Sequence, residues 1–159
     1  MTSTSEPTPD LPDPLADPLP EAGVLLGLDY GRKRVGVAVS TVEQNLALPL
    51  ENWNLAGDEQ ADARHLRQLI EDQQAVGLIV GLPLHSDGTI STLSQEAQRF
   101  GTWASEATGL PVSYWDERYT TQQAEAVLLE ANMTRKKRKA RRDMLAARII
   151  LQGYLDRLS

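Results

Sequence analysis

The sequence predicts an α/β protein built on a mixed five-stranded sheet flanked by helices, and three observations predict it. Within residues 24–40, two runs rich in Val and Leu flank the polar turn Tyr30-Gly31-Arg32-Lys33-Arg34. The stretch Val76-Gly77-Leu78-Ile79-Val80-Gly81 is almost continuously apolar, as in a strand buried on both faces. Elsewhere, apolar residues recur at helical spacing. The resulting order is β-β-β-α-β-α-β-α-α. Three strands in succession form an antiparallel meander, and the later strands, separated by helices, pair in parallel.

Residues 1–22 hold six of the nine prolines. Proline at this density removes backbone donors and opposes helix, so this stretch is expected to be a disordered, acidic tail, with the folded domain over 23–159. The first two runs read as a hairpin, with Gly31 supplying a positive φ at the turn. Gly27, Gly36 and Ala38 leave room for a backbone or ligand to approach. Residues 46–53 form a third strand, and Pro49 places it at a sheet edge. Asp58 caps a helix that runs to about Gln74. The strand over 76–81 is followed by the loop Leu82-Pro83-Leu84-His85-Ser86-Asp87-Gly88-Thr89. Loops after the carboxyl ends of strands are where open α/β sheets place ligands. Thr89 or Ser91 caps the next helix, which Gly109-Leu110-Pro111 stops near Thr108. A short strand, 112–115, ends in Asp116-Glu117-Arg118. Thr120 or Thr121 then caps a helix carrying Ala124, Val127, Leu128 and Ala131 on one face. A basic segment follows, and an amphipathic helix over 143–158 closes the fold.

The chain has no Cys, which excludes a disulfide framework and Cys-based zinc or thiol chemistry. No apolar run approaches the roughly 20 residues that span a bilayer, and the N-terminus lacks a secretory pattern, so a cytoplasmic protein without a membrane partner is expected. The net charge of −6 hides an asymmetry. Five acidic residues and no Lys or Arg lie in residues 1–22, leaving −1 for the rest. Residues 135–142 pack seven of the sixteen basic side chains into eight positions: Arg135, Lys136, Lys137, Arg138, Lys139, Arg141 and Arg142. Arg32, Lys33 and Arg34 extend the basic character around Asp29. Such a surface suits phosphate, and its binding should weaken as salt rises. The run contains no aromatic residue, so base stacking is not indicated there.

Four carboxylates stand at element ends: Asp29 after the first strand, Asp116 and Glu117 after the last, and Asp143 at the start of the last helix. Singly, each has a plain structural use. A strand-end Asp shapes a turn, Glu117 pairs with Arg118, and Asp143 favours a helix start. Jointly, a sheet and a packed helix can bring them together. Crowded carboxylates stay ionised only with cations among them. The hard cation that suits oxygen ligands and a phosphate is Mg²⁺, or Mn²⁺ in its place. Two such ions would activate a water and stabilise the leaving oxygen of a phosphodiester.

The chain resembles the YqgF, or RuvX, family, Holliday-junction-resolvase-like proteins also described as pre-16S rRNA nucleases. The match runs through residues 27–40, Gly81-Leu82-Pro83-Leu84 with Asp87-Gly88, and Asp116-Glu117-Arg118 with Thr120-Thr121. It continues through Ala124-Glu125, Lys136-Lys137-Arg138-Lys139 and residues 143–152, in order, over roughly 23–157. The resemblance implies an RNase H-like fold and a metal-dependent nuclease. It implies Asp29, Glu117 and Asp143 as metal-binding catalytic acids, with Asp116 as an additional acid. His85-Ser86 stands where Asn and an apolar residue are expected, so His85 and Asp87 are substrate-loop candidates with altered contacts. Tyr119 and Arg142 replace apolar positions, and the acidic tail lies outside the family pattern. His65 reads as a surface residue.

Two competing classes remain. One is a nucleic-acid-binding scaffold without catalysis, against which the retained carboxylates argue. The other is an actin-like nucleotide-binding domain, which the Asp-x-Gly hairpin resembles but which would need a second such domain. The residues leave open whether the substrate is RNA or branched DNA. Cutting a junction would require a homodimer, for which no interface is legible.

Overall fold

The structure, a computed structural model, describes residues 19–85, 87–117 and 135–157, the side chains of 135–143 excepted. Five strands are present: β1 (Val24–Tyr30), β2 (Arg34–Ser40), β3 (Ala47–Asn54), β4 (Ala75–Leu82) and β5 (Val112–Asp116). They form one sheet in the order β3-β2-β1-β4-β5. The pairs β1–β2 and β2–β3 are antiparallel, and β1–β4 and β4–β5 are parallel. The mixed sheet expected from the chain order is therefore present. The carboxyl ends of β1, β4 and β5 share one end of it.

Three helices are described: α1 (Glu59–Gln73), α2 (Thr92–Thr108) and α3 (Arg135–Asp156). Asp58 caps α1, its side chain accepting a hydrogen bond from the Gln60 amide at 3.0 Å. Ser91 rather than Thr89 caps α2, in a reciprocal box with Ser94, and Gly109 ends it at φ 77°. The expected helix with Ala124, Val127, Leu128 and Ala131 lies outside the described residues. So do Ser86, Tyr119 and the tail over 1–18.

Strand alternation divides the core into two layers. Leu26, Leu28, Val35, Val37, Trp53, Leu78 and Val80 pack with Leu66, Leu69, Ala97 and Phe100 of α1 and α2. Leu25, Ala38 and Ile79 pack with Ala147, Ile150, Leu151 and Tyr154 of α3. α3 packs closely on the sheet. A side chain at Gly27 of β1 would meet the Ala147 carbonyl oxygen at 3.1 Å and Leu151 at 2.7 Å. One at Gly81 of β4 would meet Ile150 at 2.5 Å, and one at Gly153 would strike Trp115 of β5 at 2.7 Å. On the other flank of α3, Gln152 Oε1 accepts from the Ala47 amide of β3 at 2.8 Å and Arg148 Nε donates to the Ala47 carbonyl at 3.0 Å. The room that Gly27 leaves is thus filled by α3.

Three expectations need correction. α3 begins at Arg135 rather than Asp143, because Lys, Arg and Ala are strong helix formers and no Gly or Pro interrupts residues 135–142. Asp143 is therefore an interior helical residue and not a helix start. Gly31 does not adopt a positive φ. Its value lies in close approach, because its N–H donates to the Arg34 carbonyl at 2.9 Å and a Cβ there would come within 2.8 Å of the same oxygen. Packing also extends back to Leu19, which is buried in the α3 layer, while Gln44 Nε2 donates to the Pro20 carbonyl at 2.9 Å. The expected edge position of Pro49 holds, with a bulge where Val37 pairs Glu51 and Ala38 pairs Pro49. His65 stands at the surface as expected, its side chain 41% exposed. It is bonded to Glu51 and stacked on Trp53 with ring centroids 5.1 Å apart.

Candidate active site

Asp29 is the penultimate residue of β1, and alternation puts its side chain on the α3 face, beside Leu25 and Gly27. Glu117 follows the last residue of β5, two strands away. Gly81 on the intervening β4 has no side chain, and Glu117 occupies the space. A Cβ on Gly81 would lie 2.8 Å from Glu117 Oε2 and 2.9 Å from its Cγ. Glu117 thereby reaches across β4 into hydrogen-bond contact with Asp29. Burial, first of all, pushes the Glu117 carboxyl well above the usual range. The charge of Asp29, the hydrogen bond to Asp29 and the charge of Asp116 push it further the same way. Asp116, paired with Leu82 at the end of β5, thus borders the site.

Among the described residues no three His, Asp or Glu side chains gather closely enough to hold a metal. The Asp29–Glu117 pair supplies only two carboxylates. The side chain of Asp143, the third one expected, lies outside the described residues. The donor chemistry of the pair fits a hard cation: both ligands are oxygen, and one proton shared between two crowded carboxylates is what a divalent ion would replace.

The basic candidates are dispersed. Arg32, in the β1–β2 turn, makes a bidentate pair with Glu96 of α2, Nε to Oε1 at 2.8 Å and Nη2 to Oε2 at 2.9 Å. Lys33 is exposed, and its carbonyl accepts from the Leu55 amide at 2.9 Å. Arg34 begins β2 opposite Asn54, half-buried on the same face as Gly36 and Ala38. Arg135, Lys136, Lys137, Arg138, Lys139 and Arg141 occupy the first two turns of α3, their side chains outside the description. In the loop after β4, Asp87 Oδ1 accepts from the Thr89 amide at 2.9 Å and hydroxyl at 2.7 Å. These bonds hold its carboxyl below the usual range and give it a loop-shaping use. His85 is exposed at the same end of the sheet as Asp29.

Sequence reasoning missed two participants. The role of Gly81 as the gap that admits Glu117 was hidden in an apolar run, where a glycine looks like any small core residue. Glu96 sits in an ordinary helix, and its pairing with Arg32 spans 64 positions, so no local pattern marks it.

The profile of the RuvX family, described as Holliday junction resolvase, matches residues 23–157. A protein of Rhodopirellula baltica named "Putative pre-16S rRNA nuclease" is 39% identical over 140 residues, 88% of this chain and 80% of that one. One of the same name from Halalkalibacterium halodurans is 40% identical over 133 residues, 83% and 95% of the two chains. Among solved structures, T. thermophilus RuvC in complex with a Holliday junction substrate aligns with a TM-score of 0.53. It is 16% identical, and the alignment covers 86% of this chain and 96% of that one. The yeast mitochondrial Holliday junction resolvase Ydc2 aligns with a TM-score of 0.50 at 13% identity, over 89% and 81% of the two chains. These two likenesses carry the RNase H-like fold. With the profile covering nearly the whole described sheet and α3, the chain belongs to the RuvX family.

Proposed function

We propose that this protein is a metal-dependent nuclease that hydrolyses phosphodiester bonds, acting on ribosomal RNA precursor ends or on branched DNA. The observation that carries the reading is the half-buried pair at the carboxyl ends of β1 and β5. Glu117 lies across the gap at Gly81 in contact with Asp29, with its carboxyl pushed far up. Crowding two carboxylates without a cation is unfavourable, and a fold that keeps them so has a use for the charge.

Asp29, Glu117 and Asp143 would hold Mg²⁺ or Mn²⁺, two ions in the full site, with Asp116 beside them. The packing of α3 supports including Asp143. Ala147 and Leu151 both lie against Gly27 of β1, two residues before Asp29 on the same face, and position 143 precedes 147 by one further turn of α3. When bound, the ions supply a water nucleophile at neutral pH and stabilise the leaving oxygen. The protein's own groups do the rest. β1 fixes Asp29 through its pairing with Gly36 of β2, and Gly81 sets the reach of Glu117. Arg34 and the basic turns of α3 hold the flanking phosphates, which fixes register and carries little sequence information. Selection among substrates then rests on shape.

The test is cleavage of an RNA, a single-stranded DNA and a branched DNA with Mg²⁺ or Mn²⁺, for wild type and Asp29→Asn, with binding measured in parallel. The variant should lose more than about a hundredfold in rate and retain its affinity. Salt-sensitive binding with no cleavage by the wild type would leave a non-catalytic scaffold instead.

A further inference from the structure

Arg32 lies three residues beyond Asp29, in the β1–β2 turn at the same end of the sheet, and turns toward α2, on the face opposite the Asp29 side chain. Its guanidinium already grips an oxyanion, the Glu96 carboxylate, through two parallel hydrogen bonds of 2.8 and 2.9 Å. That fork geometry is the one in which arginine takes a phosphate. We propose that Glu96 is an exchangeable stand-in for a substrate phosphate, holding Arg32 extended at this end of the sheet until a phosphodiester of the nucleic acid takes its place. The inference rests on the nuclease reading and assigns a positioning role to a residue outside the carboxylate site.

Three features make exchange feasible. The Arg32 side chain is 65% exposed, so a polyanion can reach it, and ion pairs this open to water contribute little to stability. Replacing one oxyanion by another on the same fork therefore costs little. Glu96, only 21% exposed, stays on the protein when Arg32 leaves. It also keeps a positive neighbour, since Arg99 lies one turn along α2 and, after Arg32 itself, helps hold the Glu96 carboxyl low. The phosphate, in turn, gains from the counterions released along the strand, which a lone carboxylate does not offer.

Until exchange occurs, Glu96 shields the most accessible arginine of the turn from polyanions that dock out of register.

The experiment measures binding of a short fluorescently labelled RNA by anisotropy, without divalent ions so that the probe stays intact, at about 50 and 200 mM salt. Glu96→Gln should tighten binding about two- to fivefold at the lower salt. Arg32→Ala should weaken it and lower the salt slope by about one. In the double variant the gain from Glu96→Gln should vanish, because there is no guanidinium left to release. Glu106→Gln, which removes an exposed charge from the same helix, should leave the affinity unchanged. The proposal is overturned if Glu96→Gln binds no tighter than wild type. It is equally overturned if its gain persists without Arg32, or if Glu106→Gln matches it, since the effect would then be one of net charge. Failure of every form, wild type included, to bind nucleic acid would instead overturn the nuclease reading itself.

Discussion

The two faces of the sheet are made from the same strands and are built differently. On the α1/α2 face, β1, β2 and β4 present Leu26, Leu28, Val35, Val37, Leu78 and Val80, all fully buried. On the α3 face the same strands begin with Leu25 and Ile79 and then thin toward the carboxyl end of β1 into Gly27, Asp29, Gly36 and Gly81. Large aliphatic contacts are what stabilise a core, by about 25 cal/mol per Å² removed from water. The thinned face gives up some of that contact for a close helix and a half-buried carboxylate pair. It also buries Trp115 Nε1 and Tyr154 Oη, which find no hydrogen-bond partner among the described residues. On the proposed function, stability and chemistry fall on opposite faces, and substitutions should separate them.

The largest separation is expected from a pair of variants. Asp29→Asn or Glu117→Gln should abolish cleavage by more than about a hundredfold, with the thermal midpoint of the metal-free protein unchanged or raised, because a half-buried like-charge contact is relieved. Leu66→Ala, in the fully buried layer under α1, should cost about 2–5 kcal/mol and lower the midpoint by roughly 5–15 °C. Its folded fraction should cut at the wild-type rate. Melting curves beside single-turnover rates would read both, and a Leu66 variant that lost activity ahead of its fold would break the division.

Two glycines on the α3 face sharpen it further. A methyl at Gly81 would come within 2.8 Å of Glu117 Oε2 and 2.5 Å of Ile150 Cδ1, so the carboxylate and the helix must both shift. At Gly77, at the other end of the same strand, the neighbours are the methyl ends of Leu25 and Leu19 at 3.0 and 3.3 Å, which can rotate away. Gly81→Ala should therefore slow cleavage about ten- to a hundredfold and cost about 1–3 kcal/mol. Gly77→Ala should cost less than about 1 kcal/mol and leave the rate alone. Equal effects at both positions would mean that the gap at Gly81 is only a packing feature.

This contrast also explains what could be seen in the sequence. Strand existence, strand order and helix caps at Asp58, Ser91 and Gly109 follow from local chemistry, and residues 24–30 and 34–40 showed their runs plainly. The faces did not show, because β4 is apolar on both sides and its period-2 signal is erased. Whether Gly81 faced α1 or α3 was thus undecidable until the helix was placed. The start of α3 was misjudged for a related reason. A charge run reads as a loop by composition, yet Lys and Arg favour helix as individual residues. Asp29 and Glu117 were legible as candidates because a carboxylate at the end of an apolar run is conspicuous. Their contact depends on an 88-residue separation closing across β4, which only topology supplies.

The smallest expected effect concerns pH, and it bears on whether the pair is as crowded as its geometry requires. Glu117 has a folded-state pKa raised above its ordinary 4.5. Between that value and the raised one, the native state holds a proton that the unfolded chain has released. Stability of the metal-free protein must therefore fall as pH rises through this window, by no more than about 1.4 kcal/mol per pH unit for one proton. Below 4.5 both states are protonated and Glu117 contributes no slope. Above the window both are ionised and the penalty is constant. Asp87 and Glu96 have lowered values and act with the opposite sign, their contribution being lost as pH falls, but both are common to wild type and variant. The difference in melting midpoint between wild type and Glu117→Gln, followed from pH 4 to 8, cancels them. It should widen against the wild type as pH rises, and Mg²⁺ or Mn²⁺ should close it by taking the place of the shared proton. A flat difference would mean that Glu117 ionises as freely as a surface carboxylate, and the contact across Gly81 would then not be the feature that tunes it.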